Sequence, residues 1–69
     1  MKLRAFLKRV HPCVELRMKY DGNSEEITPT REAEQFCEDG YLETEFEVIT
    51  FYPEYYPELD CTGITVIIK

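Results

Sequence analysis

The 69-residue sequence predicts a small two-layer α+β domain, in which an antiparallel-rich sheet of three to four strands packs with two short helices. Three observations predict it: a helical apolar period over residues 2–10, strict alternation over 13–20, and a β-branched run over 64–68. With the weaker signals between them, they give the order α-β-(β)-α-β-β. The length fits a single domain over residues 1–69.

The first half of the chain predicts a helix and a strand. Apolar side chains recur at helical spacing in the first segment: Leu3, Phe6, Leu7 and Val10. Pro12 ends that helix. Residues 13–20 alternate between apolar and charged side chains, as is typical of a half-buried strand. Asp21-Gly22 favours a turn, and a short strand over 25–28 would pair back onto the first.

The second half predicts a helix followed by two strands. Thr28-Pro29 favours a helix start, because Thr caps and Pro suits the first helical position. Gly40 favours its end. A strand is expected over 43–52, a loop over 53–60, and a β-branched terminal strand after it. The predicted core takes apolar residues from all elements: Leu3, Phe6, Leu7, Val10, Val14, Leu16, Met18, Phe36, Phe46, Val48, Ile64, Val66 and Ile68.

Four segments carry a resemblance. They are Leu3-Arg4-Ala5-Phe6-Leu7, Val14-Glu15-Leu16, the helix after Thr28-Pro29 and the closing strand 64–68. Together they resemble small proteins of unknown function carried by phages and integrative elements of Gram-positive bacteria. The resemblance implies a soluble accessory protein and carries over no catalytic residues.

Charge and cysteine content narrow the class of protein. Residues 1–20 contain six basic side chains and one acidic, whereas residues 21–69 contain two basic and thirteen acidic, for a net charge of −6. Three widely spaced cysteines, an odd number, predict reduced thiols and a cytoplasmic location. No apolar run has the length of a signal peptide core or a membrane span.

A glutamate ladder is the first candidate site. On a strand, Glu43, Glu45 and Glu47 would project from one face in steps of about 6.6 Å. In one interpretation, Arg17, Lys19 or the N-terminal helix neutralises them. In the other, they form an acidic surface that steers a protein partner with a basic surface. A metal site is not predicted, because parallel side chains on a straight strand do not converge.

A proline-rich tyrosine segment is the second candidate. Tyr55 and Tyr56 lie between Pro53 and Pro57, and a stiffened loop with large aromatic side chains favours a contact surface. The alternative is that one or both rings cover the core. The predicted partner-binding set joins this segment to the ladder: Glu43, Glu45, Glu47, Glu54, Tyr55, Tyr56 and Glu58.

A third candidate is an apolar patch of Ile49, Phe51 and Ile67, expected on the sheet face opposite the core. If both helices cover one face, this patch stays open and favours a homodimer. If the helices divide between the two faces, the patch is core.

These patterns favour a small acidic interaction or regulatory module without catalytic activity. His11 and Cys13 lack an orienting third group, and no glycine-rich phosphate loop is present, so neither an enzyme nor a cofactor is predicted. The alternative is a nucleic-acid-binding accessory protein. It would use the basic residues of the first helix: Lys2, Arg4, Lys8 and Arg9. The net charge of −6 opposes it.

Overall fold

The computed structural model describes residues 1–22 and 30–69, which form a small α+β domain with a four-stranded mixed sheet. Its elements are α1 (Leu3–Arg9), β1 (Glu15–Tyr20), β2 (Arg31–Glu32), α2 (Ala33–Glu38), a 3₁₀ turn (Tyr41–Glu43), β3 (Val48–Tyr56) and β4 (Cys61–Ile68). The predicted fold class and the order of its elements are confirmed. The strand expected over 25–28 lies outside the described residues.

The sheet is built around a parallel pair of strands. The strand order is β2-β1-β4-β3, and β1 runs parallel to β4 with Leu16 opposite Ile64 and Met18 opposite Val66. The two outer pairings are antiparallel. Parallel neighbours need a crossover connection, since a tight turn can join only antiparallel strands. The crossover here contains β2, α2 and β3. In the strand order, β2 and β3 lie at the two edges of the described sheet.

Both helices pack on the same face of the sheet. Leu3, Phe6 and Leu7 of α1 and Ala33 and Phe36 of α2 belong to one buried cluster. The sheet contributes four fully buried side chains to that cluster: Leu16, Met18, Val66 and Ile68. Five other predicted core residues are half-buried at its margin: Val10, Val14, Phe46, Val48 and Ile64. Within the described residues, no helix covers the opposite face.

Helix α2 begins later than expected. It starts at Ala33, after β2, rather than directly after Thr28-Pro29, which lies outside the described residues. No side chain caps it, and the backbone ahead of β1 accepts its first N–H groups instead: Ala33 donates to Val14 (2.8 Å) and Glu34 to Pro12 (3.0 Å). The helix ends as predicted before Gly40, which has a φ of 92°.

Strand β3 is displaced along the chain from its predicted position. The strand expected over 43–52 begins only at Val48, because residues 41–43 form the 3₁₀ turn. It then continues to Tyr56, through half of the segment predicted as a loop. Pro53 is compatible with β3 because an edge strand has one side on which no N–H is required.

A β-bulge at Ile49 changes which residues share a face. Val48 lies opposite Ile68 and Thr50 opposite Ile67, so the bulge adds one residue to β3. Phe51 therefore lies on the helix-covered face, with its ring centroid 5.1 Å from that of Phe6. The prediction of strict alternation, with Phe51 facing away from the core, is wrong.

Gly63 allows a close approach on the uncovered face. The fully buried Tyr56 ring packs directly on Gly63, and a Cβ there would lie 2.5 Å from the Glu15 carbonyl oxygen. Because the obstacle includes backbone of the central strand β1, it cannot move aside cheaply.

Replacing Gly63 with alanine should destabilise the fold by about 1–3 kcal/mol through overpacking. Urea unfolding followed by circular dichroism measures the change. Thr62→Ala, at an exposed neighbour on β4, is the control and should stay within about 0.5 kcal/mol of the wild type. Equal, small effects in both variants would contradict the packing of Tyr56 on Gly63.

Candidate interaction surfaces

Two carboxylates of the predicted ladder form an ion-pair cluster with the start of the chain. The Lys2 ammonium lies 3.0 Å from Glu47 and 3.4 Å from Glu45, and Arg4 lies 3.0 Å from Glu45. The Met1 amino group is 3.5 Å from Glu47. An antiparallel bridge between residues 2 and 47 holds the two segments together. Glu45 and Glu47 are therefore neutralised by Arg4 of α1 and by Met1 and Lys2 just before it, close to the arrangement in which the N-terminal helix neutralises the ladder.

The cluster changes the titration of its members. The Arg4 guanidinium, with help from Lys2, lowers the pKa of Glu45 below its ordinary value. Hydrogen bonding by Lys2 likewise lowers the pKa of Glu47. In return, Glu47 and then Glu45 raise the pKa of Lys2. Glu43, on the 3₁₀ turn, lies outside the cluster, so the three glutamates do not share one strand face.

The stability contributed by this cluster should disappear in acid. A carboxyl group whose pKa is lower in the folded than in the unfolded chain stabilises the fold at pH values above its unfolded pKa, which is near 4.5. This stabilisation is lost as the pH falls through the folded pKa values of Glu45 and Glu47. We expect Glu45→Gln/Glu47→Gln to melt below the wild type at pH 7 and to approach it below pH 4.5. Thermal unfolding across that range checks this. A difference in melting temperature that stays the same at every pH would show that the charges of Glu45 and Glu47 do not stabilise the fold.

The two predicted tyrosine anchors lie in different environments. Tyr56 is fully buried, beneath the Arg17 guanidinium, whose central carbon lies 4.3 Å from the ring centroid. Its hydroxyl is 3.1 Å from Oγ1 of the buried Thr65. Burial raises the pKa of Tyr56. Tyr55, by contrast, is 54% exposed and donates a hydrogen bond to Asp60.

Two more residues of the predicted partner-binding set belong to the same internal network. The Thr65 hydroxyl donates to the Glu54 carboxylate, and Glu58 forms an ion pair with Arg17. Arg17 also donates to Thr30 at 2.9 Å. This network covers Thr65 on the face without helices. Tyr56 and Glu54 therefore contribute to the fold, whereas Glu58, whose side chain is 52% exposed, pairs with Arg17 at the surface.

Removing each tyrosine hydroxyl should separate the two environments. Tyr56→Phe leaves the buried Thr65 with one partner fewer and should cost about 1 kcal/mol. Tyr55→Phe removes an exposed hydrogen bond and should cost less than about 0.5 kcal/mol. Chemical unfolding of the two variants, which differ by the same single oxygen, gives the comparison. A larger loss of stability for Tyr55→Phe than for Tyr56→Phe would contradict the buried position of the Tyr56 hydroxyl.

The predicted dimer patch is divided by the sheet. Ile49 and Ile67 border a shallow depression on the uncovered face, together with Tyr52. Phe51 lies on the other face, in an apolar groove with Met1 and Phe6. The three residues therefore lie on both sides of the β3–β4 hairpin rather than on one surface.

An acidic groove was missed by the sequence reasoning. It is an open groove of about 450 Å³ between β2, α2 and the turn after β3, where Leu59 lies. Four carboxylates line it: Glu15, Glu32, Glu34 and Glu38. Pairing of β1 with β2 sets Glu15 directly opposite Glu32, although they are distant in the chain. Glu32, Glu34 and Glu38 are close in the sequence, but only this tertiary register, which no local pattern encodes, brings Glu15 to them.

The carboxylates of the acidic groove form no ion pair within the part of the chain that the structure describes. All eight lysines and arginines lie in residues 1–22 and 30–69, and none forms an ion pair with any of the four carboxylates. Arg31 lines the groove, but its guanidinium pairs with Asp39 and lies 4.9 Å from the Phe36 ring centroid. The groove therefore has an excess of negative charge.

The part of the chain that the structure describes offers few other side chains for catalysis or metal binding. His11 Nδ1 accepts a hydrogen bond from the Cys13 backbone N–H at 3.1 Å, and both residues are exposed. The described His, Cys, Asp and Glu side chains form no cluster of three or more that could hold a metal ion. Neither described helix is long and apolar enough to cross a bilayer.

No protein-family model, curated protein or solved structure matches the chain. Its function is therefore inferred from its own surfaces.

Proposed function

We propose that this chain is a small acidic interaction or regulatory module without catalytic activity, which binds a basic protein partner through the acidic groove. One observation carries the proposal: Glu15, Glu32, Glu34 and Glu38 line an open groove and form no ion pair with a lysine or arginine of the described residues. By contrast, Glu45 and Glu47 are neutralised by cations of the N-terminal segment.

The chemistry of the groove suits a lysine- or arginine-containing segment. Unneutralised carboxylates on neighbouring elements attract cations and orient them as they approach. Leu59 at the rim is 45% exposed and offers apolar contact to the aliphatic stem of such a side chain. An open groove admits an extended segment of a partner more readily than it encloses a small molecule.

The biological setting belongs to the same proposal. The resemblance to phage and integrative-element proteins supports an accessory role. Cys13, Cys37 and Cys61 are free thiols, which supports a reducing compartment such as the cytoplasm. Homodimerisation would use a different surface and is compatible with binding in the groove.

Nucleic-acid binding has less support. Lys2 and Arg4 are engaged by Glu45 and Glu47, which leaves Lys8 and Arg9 as the exposed cations of α1. Two cations at a helix end provide few phosphate contacts, and the net charge opposes approach to a polyanion.

Titration of isotopically labelled protein with an unstructured arginine-rich peptide tests the groove. Amide shifts should concentrate at Glu15, Glu32, Glu34 and Glu38. The variant Glu34→Gln/Glu38→Gln should weaken binding by about tenfold, since two solvent-exposed charge contacts together contribute about 1.4 kcal/mol.

The matched control is Asp21→Asn/Glu43→Gln, which removes the same charge from exposed positions outside the groove. It should bind like the wild type. Equal weakening in both variants would show non-specific attraction and contradict the proposal. Tighter binding of a DNA duplex than of the peptide would favour the nucleic-acid alternative.

A further inference from the structure

We propose that the apolar groove between α1 and the β3–β4 hairpin binds an acidic amphipathic helix of a partner protein. The inference goes beyond the proposed function, because it concerns a surface away from the acidic groove and a partner of the opposite charge. Arg9 is the one charged residue among the described residues that line this groove. The other residues that line it are apolar: Met1, Phe6, Val10, Phe51 and Ile64.

The groove presents large apolar side chains to solvent on a wall that is already formed. Met1 is 58% exposed and Phe51 is 49% exposed. The Phe51 ring packs against the buried Phe6, with 5.1 Å between the ring centroids, so α1 holds it in place. Exposed apolar side chains on a preorganised wall are typical of a surface that binds another molecule.

Charge complementarity selects an acidic partner for this groove. Arg9 and its neighbour Lys8 are exposed, and neither forms an ion pair within the described residues. The cations earlier in the same segment, Lys2 and Arg4, are instead neutralised by glutamates. No described Asp or Glu lines the groove. It is therefore a local positive site on a chain of net charge −6, where acidic groups are attracted rather than repelled.

The surroundings of the groove favour a helix over an extended segment. An extended segment needs partners for its backbone N–H and C=O groups. The free edge of β3 is a poor source of them, because Pro53 has no N–H and the Met1 carbonyl already accepts the Val48 N–H at 2.8 Å. A helix satisfies its own backbone groups, and apolar side chains one turn apart on one of its faces fill such a groove.

The size of the groove also points to side chains rather than a small molecule. Its volume is about 260 Å³, below the roughly 300–1,000 Å³ of sites that enclose small ligands. Apolar side chains from one face of a helix would enter it while the rest of the helix stays in solvent. Acidic residues on the flanks of that face would then meet Arg9 and Lys8.

Fluorescence anisotropy tests the groove with a labelled peptide whose helix has leucine on one face and glutamate on its flanks. The full chain should bind this peptide. A peptide of the same composition in scrambled order should bind at least about tenfold more weakly, because it has no continuous apolar face. Equal binding of the two peptides, or no binding of the helical one, would overturn the proposal.

Two substitutions in the groove and two matched controls locate the contact. Phe51→Ser and Arg9→Glu should each weaken binding of the helical peptide by about tenfold. Tyr52→Ser removes a similarly exposed ring from the opposite face of β3, and Lys19→Glu reverses the charge of a cation beside it. Both controls should bind like the wild type.

Circular dichroism establishes which variants fold. Arg9→Glu alters an exposed position, so it tests the groove even if Phe51→Ser unfolds. Equal losses of binding in the groove variants and in their controls would overturn the proposal.

Anionic vesicles distinguish a partner helix from a membrane surface. The wild type should not sediment with phosphatidylglycerol vesicles, because the net charge of the chain opposes its approach to them. Sedimentation that Phe51→Ser and Arg9→Glu abolish would assign the groove to a lipid surface and overturn the proposal.

Discussion

The parallel pairing of β1 with β4 is the constraint on which the rest of the molecule depends. It requires a long crossover, and that crossover contributes α2 to the face that α1 also covers. It brings Arg17 of β1 beside Thr65 of β4, which places the guanidinium over Tyr56. It leaves β1 free to pair with β2, so that Glu15 meets Glu32. The buried network, the acidic groove and the free β3 edge all follow from this one pairing.

Ion pairs neutralise some of the acidic side chains and leave others unpaired. The cations of the N-terminal segment neutralise Glu45 and Glu47, and Arg17 pairs with Glu58. These contacts are largely exposed, so each contributes modestly to stability, but together they remove several acids from the outward field. Four carboxylates without an ion pair lie together at the acidic groove, whereas Asp21 and Glu43 are exposed at separate places.

Local periodicity was sufficient to predict α1, β1 and the order of the elements. Leu3, Phe6 and Leu7 occupy the helical face they were assigned, and Leu16 and Met18 occupy the inner face of their strand. The faces of β3 were not predictable, because a bulge at Ile49 has no signature in an alternating pattern. The acidic groove was likewise hidden, because strand register rather than spacing joins Glu15 to the start of α2. The sequence did contain the alternative in which a tyrosine covers the core; Tyr56 is fully buried, but against Gly63 and Thr65 on the face opposite the main core.

Nuclear Overhauser effects between the backbone protons of β1 and β4 test the central pairing most directly. The parallel register predicts contacts of Met18 with Val66 and of Lys19 with Ile67 in the wild-type protein. An antiparallel hairpin that folds β1 back across Asp21-Gly22, with none of these contacts, would contradict the topology. It would also remove the physical basis for the acidic groove and for the free β3 edge.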